Sequence, residues 1–401
     1  QGLRIRSKAH VGRVDLGVCS VVIEPKLPLK RFLNLLRFAY GFRKLEMLDA
    51  TLQGMAEHGL AELLVHQFLQ ETGEIMQRGL RRQYRRKVEH LGTPRGKLLF
   101  GGLARGRGWD TAVLECEHHE RNPDNPLNAA LLFGLGLVPR ITKDIALRSK
   151  ARRLAMHLKE EVSDRPFNSI QLQRLITRLD RQNKHYTSAL QLVQLLLSGT
   201  GVVLEGTDVR SVPVPGFLFD MNRFYQAVLG RFLQTFLPVH EVIEEQSIKG
   251  MFRYDRIEQE RTPRAPQPRP DFVVKQAGEV VGVFDAKYRD LSDRSLPREM
   301  LYQLSIYALS GLDPKRSAVI LYPSASGTPA ERRICITDPI NGTGLGEVVL
   351  RAVNLEMLEG IVQSDDNRLR DQQGRAMAIV LIYGTGNLAS TVTLPKEVYR
   401  A

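Results

Sequence analysis

The 401-residue chain is long enough for two domains, and 43% hydrophobic with 25% charged residues lets each bury a core, which excludes a disordered polymer. Its longest apolar run, 129–138, is too short to span a bilayer, and three isolated cysteines (Cys19, Cys116, Cys335) exclude a disulfide framework and a four-cysteine iron–sulfur site. With 57 Lys+Arg against 44 Asp+Glu, the net charge of +13 attracts polyanions, nucleic acid foremost and acidic proteins second.

The chain begins Gln1-Gly2-Leu3-Arg4, with neither Met nor an apolar signal core, which reads as a trimmed chain. The cysteines read as small buried residues in a reducing cytoplasm. Short strands are expected around Leu3, Ile5, Val11 and Val14 and over 18–23, ending at Pro25. Helical spacing covers 29–40 and 45–69, broken near Gly41 and Gly59, and 78–90 reads as a basic helix. Strands at 97–100 and 111–116 flank a Gly/Arg-rich turn. From 128 to 197 the chain is mainly helical, with periodic stretches at 145–162 and 172–197. Gly and Pro clusters at 198–201 and 212–216 mark a linker or edge element, placing a domain boundary near 205: an α+β domain over 1–205 and a second domain over 206–401.

The second half reads as a helix (217–236), a weak strand (248–254) and a Pro/Arg-rich stretch (261–270). Two clear strands (271–275, 280–288), a helix (298–309) and a strand (317–322) follow, with a further strand at 378–383. That order indicates an α/β fold around a mixed central sheet.

One constellation carries chemistry. The strand Val280-Val281-Gly282-Val283-Phe284-Asp285-Ala286-Lys287 is apolar on both faces, as a central buried strand is, and ends in two charges that need a reason to be there. Residues i and i+2 share a face, so Asp285 and Lys287 point together. Asp271 joins them only if the hairpin has the right parity. A three-residue loop Gln276-Ala277-Gly278 sets 271 opposite 283 and diagonal to 285, whereas a two-residue loop puts Asp271 on the wrong face unless a bulge intervenes. Two close carboxylates repel unless protonated or bridged by a cation, and hard oxygen ligands suit Mg²⁺ or Mn²⁺. A metal between Asp271 and Asp285 polarises a phosphate and activates water, while Lys287 positions or deprotonates that water. The reaction these parts serve is phosphodiester hydrolysis. On the next helix, Leu301, Leu304 and Ala308 form a core stripe, and Gln303 and Tyr307 share another face. Gln303 is placed to contact the scissile phosphate or orient water, with Tyr307 beneath it; spacing alone equally allows a helix that merely carries polar groups. Arg261, Arg264 and Arg269 lead into Asp271 and read as DNA-backbone contacts, as does Tyr307. His118 and His119 read as structural.

These residues resemble a known pattern. Pro270-Asp271, Asp285-Ala286-Lys287 and Gln303…Tyr307 look like the PD-(D/E)xK nuclease superfamily, a restriction-endonuclease-like fold, in its RecB-like branch. Gly216-Phe217-Leu218-Phe219-Asp220-Met221-Asn222-Arg223-Phe224 resembles the helix that opens the nuclease domain of McrC-like proteins of the McrBC modification-dependent restriction system. Val21-Val22-Ile23-Glu24-Pro25-Lys26 and Arg95-Gly96-Lys97 resemble N-terminal elements of the same proteins. The resemblance departs at Gln226, where such helices often carry Glu; Asp220 lies one and a half turns earlier. It implies a metal-dependent endodeoxyribonuclease whose N-terminal domain docks on a hexameric AAA+ GTPase, in a cytoplasmic defence system. The chain has no Gly-x-x-x-x-Gly-Lys-[Ser/Thr] phosphate loop of its own, in keeping with a separate GTPase. The basic cluster Arg78, Arg81, Arg82, Arg85, Arg86 and Lys87 then reads as a solvated face, as phosphate contact, or as docking onto an acidic ring. Arg81, Arg85, Arg105 and Arg107 are the docking candidates. A stand-alone nuclease and a catalytically inactive regulatory subunit are the alternatives.

Overall fold

The computed structural model describes residues 9–16, 19–25, 27–42, 59–100, 113–200, 202–204, 212–214, 216–254, 265–292, 295–324 and 330–384. In chain order, β1 (His10–Asp15), β2 (Ser20–Ile23) and α1 (Leu29–Tyr40) precede α2 (Gly59–Arg78), β3 (Gln83–Leu91), β4 (Lys97–Leu98) and β5 (Leu114–Asn122). Helices α3 (Pro126–Ile141), α4 (Ile145–Lys159), α5 (Ser169–Thr177) and α6 (Thr187–Gly199) follow, then β6 (Val202–Leu204), β7 (Val212–Val214) and β8 (Gly216–Asp220). The rest is α7 (Met221–Phe236), β9 (His240–Glu244), β10 (Phe272–Gln276), β11 (Glu279–Ala286), α8 (Arg298–Leu309), β12 (Ser317–Ser324), β13 (Arg332–Thr337), β14 (Gly344–Asn354), α9 (Leu355–Gln363) and α10 (Asn367–Tyr383).

Contacts divide the chain into two compact units: Gly12–Glu24 with Glu46–Phe219, and Gln1–Val11 with Pro25–Leu45 and Asp220–Ala401.

In the first unit the helices α2, α3, α4 and α6 pack around Leu64, Phe68, Leu131, Leu135, Leu190 and Val193, all buried. Asn125 starts α3 by accepting from the backbone of Leu127 and Asn128, and Pro126 occupies the first turn, where its missing N–H costs nothing. Three short sheets accompany the helices, in the orders β2-β1-β8, β3-β5-β4 and β6-β7. The basic segment 78–90 is not a helix. α2 ends at Arg78, Gly79 takes a left-handed φ of 93°, and β3 then pairs antiparallel with β5. The cations prefer this arrangement because β5 presents acids across the ladder: Arg86 pairs with Glu117 at 2.6 Å and Lys87 with Glu120 at 3.5 Å. The expected periodic stretch 172–197 is likewise two helices, parted by a turn over 178–183 and a short 3₁₀ segment at Lys184–Tyr186.

The second unit is built on a six-stranded sheet of order β13-β14-β12-β11-β10-β9, in which β11, β12 and β14 run parallel and the remaining pairs are antiparallel. It is the mixed central sheet that the sequence implied. Side chains alternate across it. Val283, Ile320 and Leu350 face α8, where Leu304 and Ala308 complete the core, while Phe272 meets α7 at Gly230, where a Cβ would lie 3.1 Å from its ring. Gly230 lets helix and sheet approach this closely.

Several expected elements change type. The first residues of 217–236 form β8, and Asp220 then caps α7 by accepting from Asn222 and Arg223. The strand placed at 248–254 lies instead at His240–Glu244, where Val242 and Ile243 pair with Val274 and Val273. The apolar run 378–383 is the end of α10, begun by the Asp366 cap, because a short apolar run alone cannot distinguish strand from helix. Cys116 is buried, but Cys19 and Cys335 are exposed. Among the described residues no helix is long and apolar enough to cross a membrane.

Leu304, 1% exposed between α8 and the sheet, tests this packing. Leu304→Ala is expected to cost about 2–5 kcal/mol in urea unfolding; a loss under 1 kcal/mol would show that the α8 face is not a close-packed core.

Candidate active site

The hairpin between β10 and β11 decides which side chains meet. Its turn is Ala277-Gly278, with φ of 51° and 87°, the left-handed pair that a tight two-residue hairpin uses. The three-residue loop is therefore not the one formed. Parity is rescued further along: Val274 pairs with Gly282 but Lys275 with Val280, so Val281 is an extra residue, a bulge. Beyond it Phe272 pairs with Phe284, and the next rung sets Asp271 against Asp285 rather than against Val283. Both acids then face α8.

The expected residues come together there. Lys287 Nζ lies 2.9 Å from Asp285 Oδ2. Gln303 Nε2 donates to Asp285 Oδ1 at 3.4 Å and to the Tyr307 hydroxyl at 2.7 Å, and Tyr307 donates to the Arg269 carbonyl at 2.9 Å. The backbone N–H of Ala286 donates to Asp271 Oδ2 at 2.7 Å. β11 pairs parallel with β12 up to Ala286 and Leu321, and Lys287 N–H extends the ladder by donating to the Leu321 carbonyl at 3.1 Å. Arg269 turns its guanidinium to Glu245 at 3.6 Å. Arg261 and Arg264 lie outside the described residues, as do Arg105 and Arg107.

The electrostatics are those of a buried anionic pair. Burial, then the neighbouring Asp285, lifts the Asp271 carboxyl to about 7 against the opposing pull of Lys287. Burial also raises Asp285, opposed by Lys287. Burial works against the Lys287 ammonium, but Asp285 and Asp271 outweigh it and hold the amine charged above the ordinary lysine range. One fixed cation thus serves two carboxylates. Among the described residues no group of three His, Cys, Asp or Glu side chains is arranged to hold a metal. The two carboxylates nonetheless fit a hard divalent ion that takes the rest of its shell from water and substrate oxygens, since one is buried and the other half-buried, and both are oxygen-only and short of positive charge.

Sequence reasoning missed two neighbours. Asn222, on the first turn of α7, accepts from the Tyr288 N–H at 2.9 Å and so fixes the backbone immediately after Lys287. Its place in Asp220-Met221-Asn222 was visible, but its partner was not. Glu245 takes φ of 51°, donates its N–H to the Asp271 carbonyl at 3.0 Å and adds negative potential at Asp271. Asp220 is occupied with capping α7 and also adds negative potential at Lys287.

The second unit is thus a mixed-sheet α/β fold that gathers an acid pair, an amine and a Gln/Tyr helix on one face. A family model described as McrBC 5-methylcytosine restriction system component matches residues 5–323, and the chain belongs to that family. The fold is similar to a chain of the refined half-complex from the tetradecameric assembly of Thermococcus gammatolerans McrB AAA+ hexamers with bound McrC, at 22% identity and TM-score 0.52 over 93% of this chain and 83% of that one. A chain of the cryo-EM structure of the Thermococcus gammatolerans McrBC complex matches at 22% identity and TM-score 0.42, over 57% of this chain and 67% of that one. The search of curated proteins found no match.

The Asp271 proton makes stability depend on pH. The folded chain keeps it up to about pH 7, whereas an exposed carboxyl releases it near 3.8, so in EDTA this contribution is complete below pH 3.8 and is lost as pH rises through 7. Between pH 4 and 7 wild type should lose stability relative to Asp271→Asn, at up to about 1.4 kcal/mol per pH unit. A difference between the two proteins that stays flat with pH would contradict the buried, raised carboxyl.

Deleting Val281 should remove the bulge and still leave Asp271 opposite Asp285, because the two-residue hairpin then pairs regularly along the shortened strand. The expected result is a protein with unchanged circular dichroism that still gains melting temperature from Mg²⁺ or Mn²⁺. Loss of that gain would show that the bulge shapes the site beyond setting its register.

Proposed function

We propose that this chain is the endonuclease subunit of a McrBC-like, GTP-dependent restriction system, a divalent-metal-dependent enzyme of the PD-(D/E)xK class that hydrolyses DNA phosphodiester bonds. The observation that carries the reading is the convergence of Asp271, Asp285 and Lys287 on one face at the end of a buried strand. Two acids and an amine largely withdrawn from water are costly unless they serve a ligand.

Asp271 and Asp285 would hold Mg²⁺ or Mn²⁺, which when bound would polarise the scissile phosphate and make its water more acidic. The chain's own groups divide the remaining work. Lys287, held as an ammonium, donates to the phosphate oxygens and to the attacking water and offsets the charge that grows in the transition state. It acts as donor and electrostatic partner, since an amine raised above its ordinary range is a poor base. Gln303 orients Asp285 and reaches toward the phosphate. Tyr307 locks Gln303 and ties the segment around Arg269 to α8. Arg261, Arg264 and Arg269 would meet the DNA backbone without reading sequence.

Family membership supports a partner. In the similar solved assembly, McrC is bound to McrB AAA+ hexamers. By analogy the unit that carries β3, β4 and β5 would dock on such a GTPase, with Arg85, Arg105 and Arg107 as contacts. Arg81 suits docking less well: its backbone is held by Tyr186, Asn125 and Asn128, and its guanidinium faces Asp180 at 3.8 Å.

The test is DNA cleavage by purified chain with its GTPase partner, GTP and Mg²⁺. Asp285→Ala and Lys287→Ala should each lower the rate on the order of 100-fold or more, and Gln303→Ala roughly 10- to 100-fold, with complex formation intact. Full cleavage by Asp285→Ala would refute the assignment. Wild-type stimulation of the GTPase without DNA breaks, in Mg²⁺ and in Mn²⁺, would make the chain a regulatory subunit. Cleavage without partner or nucleotide would make it a stand-alone nuclease.

A further inference from the structure

The net charge of +13 is not spread evenly over ion-paired surfaces. At the β3–β5 sheet several basic residues have acidic partners close by: Arg82, just before β3, pairs with Glu161, Arg86 with Glu117, and Lys87 with Glu89 and Glu120. α4 is different. Its sequence, Ile-Ala-Leu-Arg-Ser-Lys-Ala-Arg-Arg-Leu-Ala-Met-His-Leu-Lys, contains Arg148, Lys150, Arg152, Arg153 and Lys159 and no acid. Arg148 donates to the Thr142 and Pro139 carbonyls. Among the described residues Lys150, Arg152, Arg153 and Lys159 make no ion pair, and Arg152, Arg153 and Lys159 are exposed.

The helix has already used its apolar side. Ala151 and Leu158 are buried against the neighbouring helices α2 and α3. At 100° per residue the opposite side carries Ile145, Ser149, Arg152 and Met156 in one line, with Lys159 on one flank and Arg153 on the other. Ile145 is 84% and Met156 64% exposed. Two isolated apolar side chains among cations are too little for a membrane-inserted face, which needs a broad apolar stripe left unburied. Unpaired cations along one exposed line instead match the charge of a phosphate backbone, whose binding is driven by release of condensed counterions.

We propose that the exposed face of α4, through Arg152, Arg153 and Lys159, is a second contact surface for duplex DNA, carried by the unit that lacks the acid pair. It rests on the reading that DNA is the substrate, and deepens it by giving the helical unit a direct grip on the duplex. The contact is to phosphates and independent of sequence, since a helix offering only cations and two apolar side chains reads no base edges. Its role is to retain the duplex, not to cut it.

The experiment is equilibrium binding of a fluorescent duplex to the full chain carrying Asp285→Ala, in EDTA, over a range of salt concentrations. Neutralising α4 with Arg152→Gln, Arg153→Gln and Lys159→Gln should lower the slope of log K against log salt by roughly 2–3, at about 0.9 per lost phosphate contact. Affinity at low salt should fall at least tenfold. Removing the same charge from ion-paired positions, with Arg31→Gln, Arg78→Gln and Arg370→Gln, should leave the slope within about one unit of the parent. An α4 variant that keeps the parent's slope and affinity overturns the proposal. So does an effect confined to GTPase docking or to vesicles of anionic lipid, since each names a different ligand for the same helix. If the parent binds no duplex at any salt, the DNA reading itself fails, which is distinguishable from failure of this surface alone.

Discussion

Sheet parity is the constraint on which the site depends. A β-strand offers its side chains alternately to two faces, so a one-residue slip in the pairing of Asp271 with Asp285 separates them by the thickness of the sheet. The two-residue turn at Ala277-Gly278 would by itself do that, and the extra residue at Val281 undoes it. Everything chemical follows from this correction: two acids on the α8 side, an amine two residues further along the same face, and Gln303 and Tyr307 above them. A bulge re-aims the side chains beyond it, and here that makes the acids neighbours.

The acids come at an electrostatic cost that the surrounding structure only partly offsets. Burial raises both carboxyls, and Lys287 cannot fully compensate two of them. The remaining bonds are small and numerous: an N–H from Ala286, an amide from Gln303, and a phenol that fixes that amide and anchors Arg269. Asn222 holds the chain just beyond the lysine from a different element. The geometry is thus held from β10, β11, α7 and α8 together, as a preorganised site requires.

Charge is distributed on a different principle in the helical unit. Of the basic residues that crowd together in sequence at 78–87, Arg78 pairs with Glu74, Arg81 with Asp180 and Arg82 with Glu161, while Arg86 and Lys87 reach acids of β5 across the ladder. Density of cations along the chain therefore overstated the free charge there. The acid-free helix α4 is less conspicuous in sequence because its cations are interleaved with leucines and alanines. It keeps more unpaired charge because, among the described residues, no acid pairs with Lys150, Arg152, Arg153 or Lys159.

The sequence by itself determined the composition of the site and much of the local structure. Asp271, Asp285, Lys287, Gln303 and Tyr307 were legible because charges at the end of an apolar strand, and polar residues at helical spacing, are local patterns. The helices at Leu29–Tyr40 and Arg298–Leu309 were legible for the same reason, with apolar periodicity and clear ends. Tertiary structure alone decided the rest. It made a strand of a basic stretch by supplying a partner, made a helix of the apolar run 378–383 by continuing an upstream helical phase, and set the rung on which Asp271 lies. Each depends on which segment comes to lie alongside, and pairing between distant segments is a property of the folded chain that no window of neighbouring residues contains.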